Sequence, residues 1–285
     1  MALTLSEIGC EYAAGTSLAS VALGGVSLVV EPGELVVVLG STGAGKTTLL
    51  RAAAGLLAVS HGSVDVDGRP ASGAGARRGA VGLVFQRPEE QFFSLSVEED
   101  CAFGPRNLGR SSDDARDDAR GALAVVGLDP VVFGPREPWS LSGGEARRAA
   151  LAGVLAMHPR YLLLDEPTAG LDAAGRDAVC AAVEAARADS GVIVVTHDAE
   201  VFLGSADRVL VLREGHTAFL GDVPSLLIAL PGLVAAGDME PPEVPRALML
   251  ARTRGFAPEG ELTFDVEAAA DMLAAAWHDP RGGAK

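Results

Sequence analysis

The chain has 285 residues, 48% of them hydrophobic, and a formal net charge of −15. That much apolar material can build one large domain, or one domain with an appendage. The acidic balance argues against a nucleic-acid surface, which relies on Lys and Arg to neutralise phosphates, and against unaided adsorption to anionic lipid.

From the N-terminus to about residue 86 the pattern is that of strands: Leu3 to Ile8, Val26 to Val30, Leu35 to Leu39, Val64 to Val66 ahead of the turn Asp67-Gly68, and Val81 to Phe85. No basic region precedes an apolar core at the start of the sequence, so no signal peptide is read and the chain is expected in the cytoplasm. Tyr12 to Val30 is uncharged and about as long as a membrane span. Its glycines Gly15, Gly24 and Gly25 and the turn Glu31-Pro32-Gly33-Glu34 read instead as turns between short β segments.

The exception among these strands is a helix that follows Leu35 to Leu39 and the stretch Gly40-Ser41-Thr42-Gly43-Ala44-Gly45-Lys46-Thr47-Thr48. A glycine-rich turn between a buried strand and a helix lets successive backbone N–H groups converge on phosphate oxygens. In such a loop Lys46 would reach the β- and γ-phosphates of a nucleotide, and the Thr47 hydroxyl would sit on Mg²⁺.

From Ser96 to about Met157 the pattern turns helical. Ser111 to Arg120 forms a charged, solvated face whose Asp and Arg spacings allow i,i+3 pairing. Leu141-Ser142-Gly143-Gly144-Glu145 opens a helix with a capping box, Ser142 to Glu145. Capping does not need two glycines. Gly143 and Gly144 expose N–H groups at a positive helix end, where a second anion can bind. A second phosphate site in a chain with one glycine-rich loop suggests a nucleotide shared between two copies. Cys10, Cys101 and Cys180 form no metal or redox spacing and read as small buried hydrophobes in a reducing compartment.

Tyr161 to Leu164 is a short apolar run ending in Asp165 and Glu166, which reads as a buried parallel strand facing a ligand crevice, with Asp165 placed for the magnesium shell and Glu166 for water. A helix over Ala173 to Ala188, strands over Val192 to Val195 and Val209 to Leu212, and a hairpin at Glu214-Gly215 into Thr217 to Leu220 complete a mainly parallel sheet. After Gly221 the texture changes. Val223 to Gly237 is uncharged but short and carries Pro224 and Pro231, which argues against a span, and Pro241 to Pro245 reads as a linker or extended turn. Helices are predicted over Arg246 to Arg254, closed by Gly255, and over Val266 to His278, where Trp277 shares a face with Val266, Ala270 and Leu273 as a packing residue.

The order of the loop at Gly40, Gln86 after its strand, Leu141 to Glu145, Leu162 to Glu166, Ala169-Gly170-Leu171-Asp172 and Thr196-His197-Asp198 resembles the ATP-binding cassette (ABC) ATPases. Val84 to Phe93, Phe103-Gly104-Pro105 and Ala152 to Pro159 resemble those of energy-coupling-factor (ECF) transporters and of cobalt and nickel uptake systems. The resemblance covers about residues 1 to 221. It implies an α/β fold with a RecA-like P-loop core, an antiparallel β subdomain and an α-helical subdomain over about 88 to 158. A small C-terminal helical extension, 222 to 285, would help to pair subunits.

The same resemblance implies an ATP hydrolase that drives vitamin or transition-metal ion import, using ATP and Mg²⁺. Thr47, Gln86 and Asp165 would hold the metal and Glu166 would position the attacking water. His197 would contact the γ-phosphate, and Tyr12 would stack on adenine. Leu141 to Glu145 and Asp172 would act across a dimer on the partner's nucleotide. Expected partners are a second ATPase subunit, identical or related, and a transmembrane coupling subunit that joins a substrate-binding membrane protein, with the chain peripheral on the inner face of the membrane. A soluble ABC ATPase acting on DNA or the ribosome would be expected to carry a long coiled-coil insertion or duplicated cassettes. A P-loop kinase would leave Leu141 to Glu145 and Ala169 to Asp172 without a purpose. Glu145 stands where the family usually has glutamine, and its carboxylate adds repulsion near a partner-bound γ-phosphate unless Arg147 or Arg148 offsets it.

Overall fold

The computed structural model describes residues 1–12, 20–71, 78–87, 91–254, 256 and 261–278. Gly15, the start of the helical subdomain at residue 88, and Gly255 lie outside the described residues.

The N-terminal half supplies β1 (Leu3–Tyr12), β2 (Ser20–Val30), β3 (Leu35–Gly40), α1 (Lys46–Ala53), β4 (His61–Val66), β5 (Arg69–Pro70) and β6 (Val81–Val84). Then come α2 (Val97–Asn107), α3 (Ser112–Val125), α4 (Pro130–Phe133) and α5 (Gly143–Leu155), followed by β7 (Tyr161–Asp165), α6 (Ala173–Arg187), β8 (Gly191–Val195) and α7 (Glu200–Leu203). The hairpin β9 (Arg208–Arg213) and β10 (His216–Gly221) leads to α8 (Val223–Ala235), α9 (Glu243–Thr253) and α10 (Val266–His278).

These strands form an antiparallel sheet ordered β2-β1-β4-β5 and a six-stranded sheet ordered β10-β9-β3-β8-β7-β6, parallel except for β10. β3, β7 and β8 are almost wholly buried because both faces of their sheet are covered. Alternation decides the layers. Val37, Leu162, Leu164 and Val194 pack toward the helical side, whereas Val36, Val38, Leu163 and Ile193 pack toward the antiparallel sheet and α1. Leu226, Leu230, Leu233 and Leu248 of α8 and α9 join the first of these cores, so the C-terminal helices share its packing.

Several expectations need correction. Gly24 and Gly25 do not separate short segments: they lie within the continuous strand β2, where Ile8 pairs with Val26 and Gly9 with Gly24, leaving Gly25 as a bulge. Pro241 to Pro245 is not a linker throughout. α9 starts at Glu243, with Pro242 as its N-cap and Pro245 in the first turn, where a helix leaves N–H groups unpaired and proline costs little. Val223 to Gly237, read only as unfit for a membrane span, is mostly the 13-residue helix α8, with Pro231 inside it. The charged run on α3 pairs chiefly with other elements rather than along itself. Arg116 meets Glu99 at 3.0 Å and Arg120 meets Glu98 at 2.9 Å on α2, while the i,i+3 pair Arg120–Asp117 is looser at 3.8 Å. Cys10 and Cys101 are buried free thiols and Cys180 is half-buried.

Candidate nucleotide site

In a parallel sheet ligands collect at the C-terminal strand ends. The neighbours β3, β8, β7 and β6 bring four chain exits to one edge: the loop Gly40 to Gly45 after β3, His197 after β8, Asp165 and Glu166 at the end of β7, and Gln86 after β6. They surround a cavity of about 370 Å³ that also touches Tyr12 and residues Thr42 to Thr48. Gly40 and Ser41 border the adjoining cavity beside His197.

The loop needs its glycines where it turns into α1. Gly45 has φ +102°, and a Cβ there would lie 2.6 Å from the Ala22 carbonyl oxygen. Lys46 is buried and its ammonium donates to the Gly40 and Ser41 carbonyl oxygens at 2.6 and 3.0 Å. Burial pushes the Lys46 pKa down, opposed by the charges of Glu166 and Asp165. Tyr12 is partly exposed at the cavity mouth with its hydroxyl 3.2 Å from Thr48 Oγ1.

Thr47 Oγ1 donates to Asp165 Oδ2 at 2.9 Å, joining the loop to the end of β7. The next residue, Glu166, sits at φ +53°, a left-handed conformation that costs an L-residue about 1–2 kcal/mol. Its carboxylate is held on one side only. Oε2 accepts from the His197 backbone N–H at 3.1 Å, while Oε1 is buried 3.3 Å from His197 Nε2 with no hydrogen-bond partner among the described residues. Burial raises the pKa of both Asp165 and Glu166. An unpartnered buried carboxylate oxygen and a second acid bound to a hydroxyl fit a site that takes a hydrated cation and a polyphosphate. Among the described residues no group of three or more His, Cys, Asp or Glu side chains could hold a metal by itself. Magnesium bound largely through substrate phosphates and water does not need one.

Leu141 to Glu145 and Asp172 line neither cavity. Ser142 and Glu145 form the capping box of α5, with Glu145 Oε2 accepting from Ser142 N–H at 2.8 Å. Asp172 caps α6 by accepting from Gly175 N–H at 2.8 Å. The Ser142 N–H bond is the main cause that holds the Glu145 pKa below its usual value. The cation closest to it is not the expected one. Arg136 lies 3.8 Å from Glu145 Oε1, with a smaller contribution from Arg148, whereas Arg147 donates to the Gln86 carbonyl oxygen at 2.7 Å. Sequence reasoning missed that bridge between α5 and the Gln86 turn. It also missed Gly215, whose N–H donates to the Ala44 carbonyl oxygen at 3.0 Å, because neither contact has a local motif.

The sequence profile described as ABC transporter matches residues 23–169. The energy-coupling factor transporter ATP-binding protein EcfA2 of Symbiobacterium thermophilum is 42% identical over 279 residues, covering 95% of each chain. The structure of cbiO1 from Clostridium perfringens, described as part of the ABC transporter complex cbiONQ, superposes with TM-score 0.69 and 32% identity over 88% of this chain and 96% of that one. A dimeric post-hydrolysis structure of the ATP-binding cassette MJ0796 bound to ADP and Pi superposes with TM-score 0.71 and 26% identity, over 78% of this chain and 99% of that one. With its glycine-rich loop, paired acids and histidine at one sheet edge, the chain belongs to the ABC transporter family as an ATP-binding and ATP-hydrolysing subunit.

Proposed function

We propose that the chain is the ATPase of an ECF-type importer for a vitamin or a transition-metal ion, seated on the inner face of the membrane through partner subunits. The observation that carries the catalytic part is Glu166, buried beside His197 with one carboxylate oxygen free of hydrogen bonds at the nucleotide cavity. Among the described residues no helix is long and apolar enough to cross a membrane, so on this reading contact with the bilayer comes from the partners.

In the proposed mechanism the loop N–H groups and Lys46 hold the phosphates and Tyr12 packs against the base. Thr47, Asp165 and Gln86 would hold Mg²⁺, which, when bound, neutralises phosphate charge. Hydrolysis then depends on placement more than on covalent chemistry. Glu166 orients water and takes up its proton at the free oxygen, while His197 limits the carboxylate's movement. Ser142, Gly143 and Gly144 start a capped helix whose N–H groups would meet a nucleotide held by the partner ATPase, identical or related. Leu141, Glu145 and Asp172 belong to the same cross-dimer surface, and Glu145 spends its charge on its own cap and Arg136. We assign residues 1–221 to the ATP-binding domain, about 88–158 to its helical subdomain, and 222–285 to subunit pairing. Val266 and Trp277 do not pack as expected: α10 turns Ala269, Met272 and Leu273 to the core, and Trp277 stacks on Phe256. Exposed Ile228, Val266 and Trp277 on the C-terminal helices support that last role. Phosphate release per chain should rise with chain concentration or with added partner ATPase, and concentration-independent turnover by a monomer would exclude the shared site.

Coupling to the membrane subunit is assigned to the surface beside Gln86. Phe92 packs partly against the core, whereas Phe93 is 55% exposed and meets the exposed Phe103 edge-on at 4.5 Å. Phe93→Asp is expected to leave folding and ATP binding intact and to weaken capture of the membrane subunit by roughly 30-fold or more, the loss of a hot spot of about 2 kcal/mol. Phe92→Asp should instead lower the melting temperature. Normal capture and transport by the Phe93 variant would move the coupling contact elsewhere.

A further inference from the structure

Every nucleotide motif precedes residue 222, yet the glycine-rich loop is gripped from beyond it. Just past the cap of α8, Gly237 takes φ +76°, a conformation that suits glycine, and there the Gly237 N–H donates to the Val234 carbonyl and the Asp238 N–H to the Leu233 carbonyl, at 3.0 and 2.9 Å. This reversal carries Asp238 onto the loop, where its carbonyl oxygen accepts from the Ser41 N–H at 3.0 Å. Asp238 is 2% exposed. A carboxylate so buried needs a counter-charge, and Arg213 at the end of β9 supplies it, with Nη1 3.3 Å from Oδ1 and 3.4 Å from Oδ2. The Ser41 carbonyl oxygen in turn accepts from Lys46 Nζ. Arg213, Asp238, Ser41 and Lys46 thus form an unbroken chain of polar contacts from the C-terminal helices to the lysine of the site.

We propose that Asp238 is a positioning residue for ATP: anchored by Arg213, it fixes Ser41 and through it the Lys46 ammonium. The inference rests on the assignment of Lys46 to the phosphates. The C-terminal segment would on this account serve the nucleotide site directly, as well as the pairing of subunits.

The test uses the full-length chain, with Asp238→Ala, Asp238→Asn, Arg213→Ala and a Lys46→Ala control. MgATP affinity, KM, kcat and the melting temperature without nucleotide are measured for each. Asp238→Ala keeps the backbone acceptor for the Ser41 N–H but removes the carboxylate that Arg213 anchors, so Ser41 and Lys46 are held less firmly and Kd and KM are expected to rise roughly three- to tenfold, with kcat falling less than KM rises. Asp238→Asn, which keeps the shape but leaves Arg213 without its counter-ion, should rise less. Arg213 is half-exposed, so Arg213→Ala decides the matter if Asp238→Ala does not fold, and its Kd should shift in the same direction. A Kd within about twofold of wild type in both Asp238→Asn and Arg213→Ala, whatever the melting temperatures, would overturn the proposal. Wild-type affinity in Lys46→Ala would overturn the underlying site assignment instead.

Discussion

Glu166→Gln is expected to keep MgATP binding while phosphate release falls by roughly 10²–10⁴-fold, the contribution typical of a general base. The amide keeps the side chain's size and its acceptor for the His197 N–H, so the local backbone and the loop should be undisturbed. What it loses is the basic oxygen now buried without a hydrogen bond, which is the group able to take a proton from water. On the proposed reading binding falls to other residues, Lys46 and the loop, to which Glu166 makes no hydrogen bond among the described residues. Equilibrium binding and phosphate release, measured on the same purified complex, separate the two effects. Undiminished release would remove Glu166 from the chemistry.

Lys46→Ala should act at the earlier step. Its ammonium is buried, donates among the described residues to two loop carbonyls, and faces the carboxylates of Asp165 and Glu166. Such a charge stands ready for phosphate oxygens. Hydrogen bonds to charged groups contribute about 1.5–3 kcal/mol, so nucleotide Kd should rise by roughly 10- to 100-fold. Titration calorimetry reads this directly, and hydrolysis falls with it. A Kd close to that of the unchanged chain would place the phosphates elsewhere.

Some of this site could be read from sequence because its parts are contiguous or sit on strand ends. Gly40 to Thr48 is one contiguous stretch across the turn from β3 into α1, and Leu162 to Glu166 is an apolar strand with acids at its tip, so each carries its own local signal of a strand end. α8 resisted the same reading. Pro231 signals a break, and Leu226, Leu230 and Leu233 reveal their helical face only once β9 and β10 are there to pack against. Pro245 misled because its position in a helix's first turn depends on where the cap falls. Arg148 contributes beside Glu145 as expected, but the nearer cation comes from elsewhere because neighbours in sequence diverge around a helix. Arg147 turns to Gln86 and Arg148 to the Val126 and Gly127 carbonyls, leaving Arg136 from outside α5. The contact between Ser41 and Asp238 joins distant segments through backbone atoms and leaves no trace in residue types.

Hydrolysis of ATP by this chain as part of a membrane importer is what the proposed function requires above all. Its most direct test is affinity purification of the tagged chain from detergent-solubilised membranes of its own source cells, with every co-purifying subunit identified and phosphate release measured on the complex. A membrane-spanning subunit and a second ATPase chain should be recovered, in a complex that releases phosphate from MgATP and loses that activity with Glu166→Gln. Recovery of the chain with no membrane-spanning partner, or with ribosomes or DNA in its place, would contradict the proposed function.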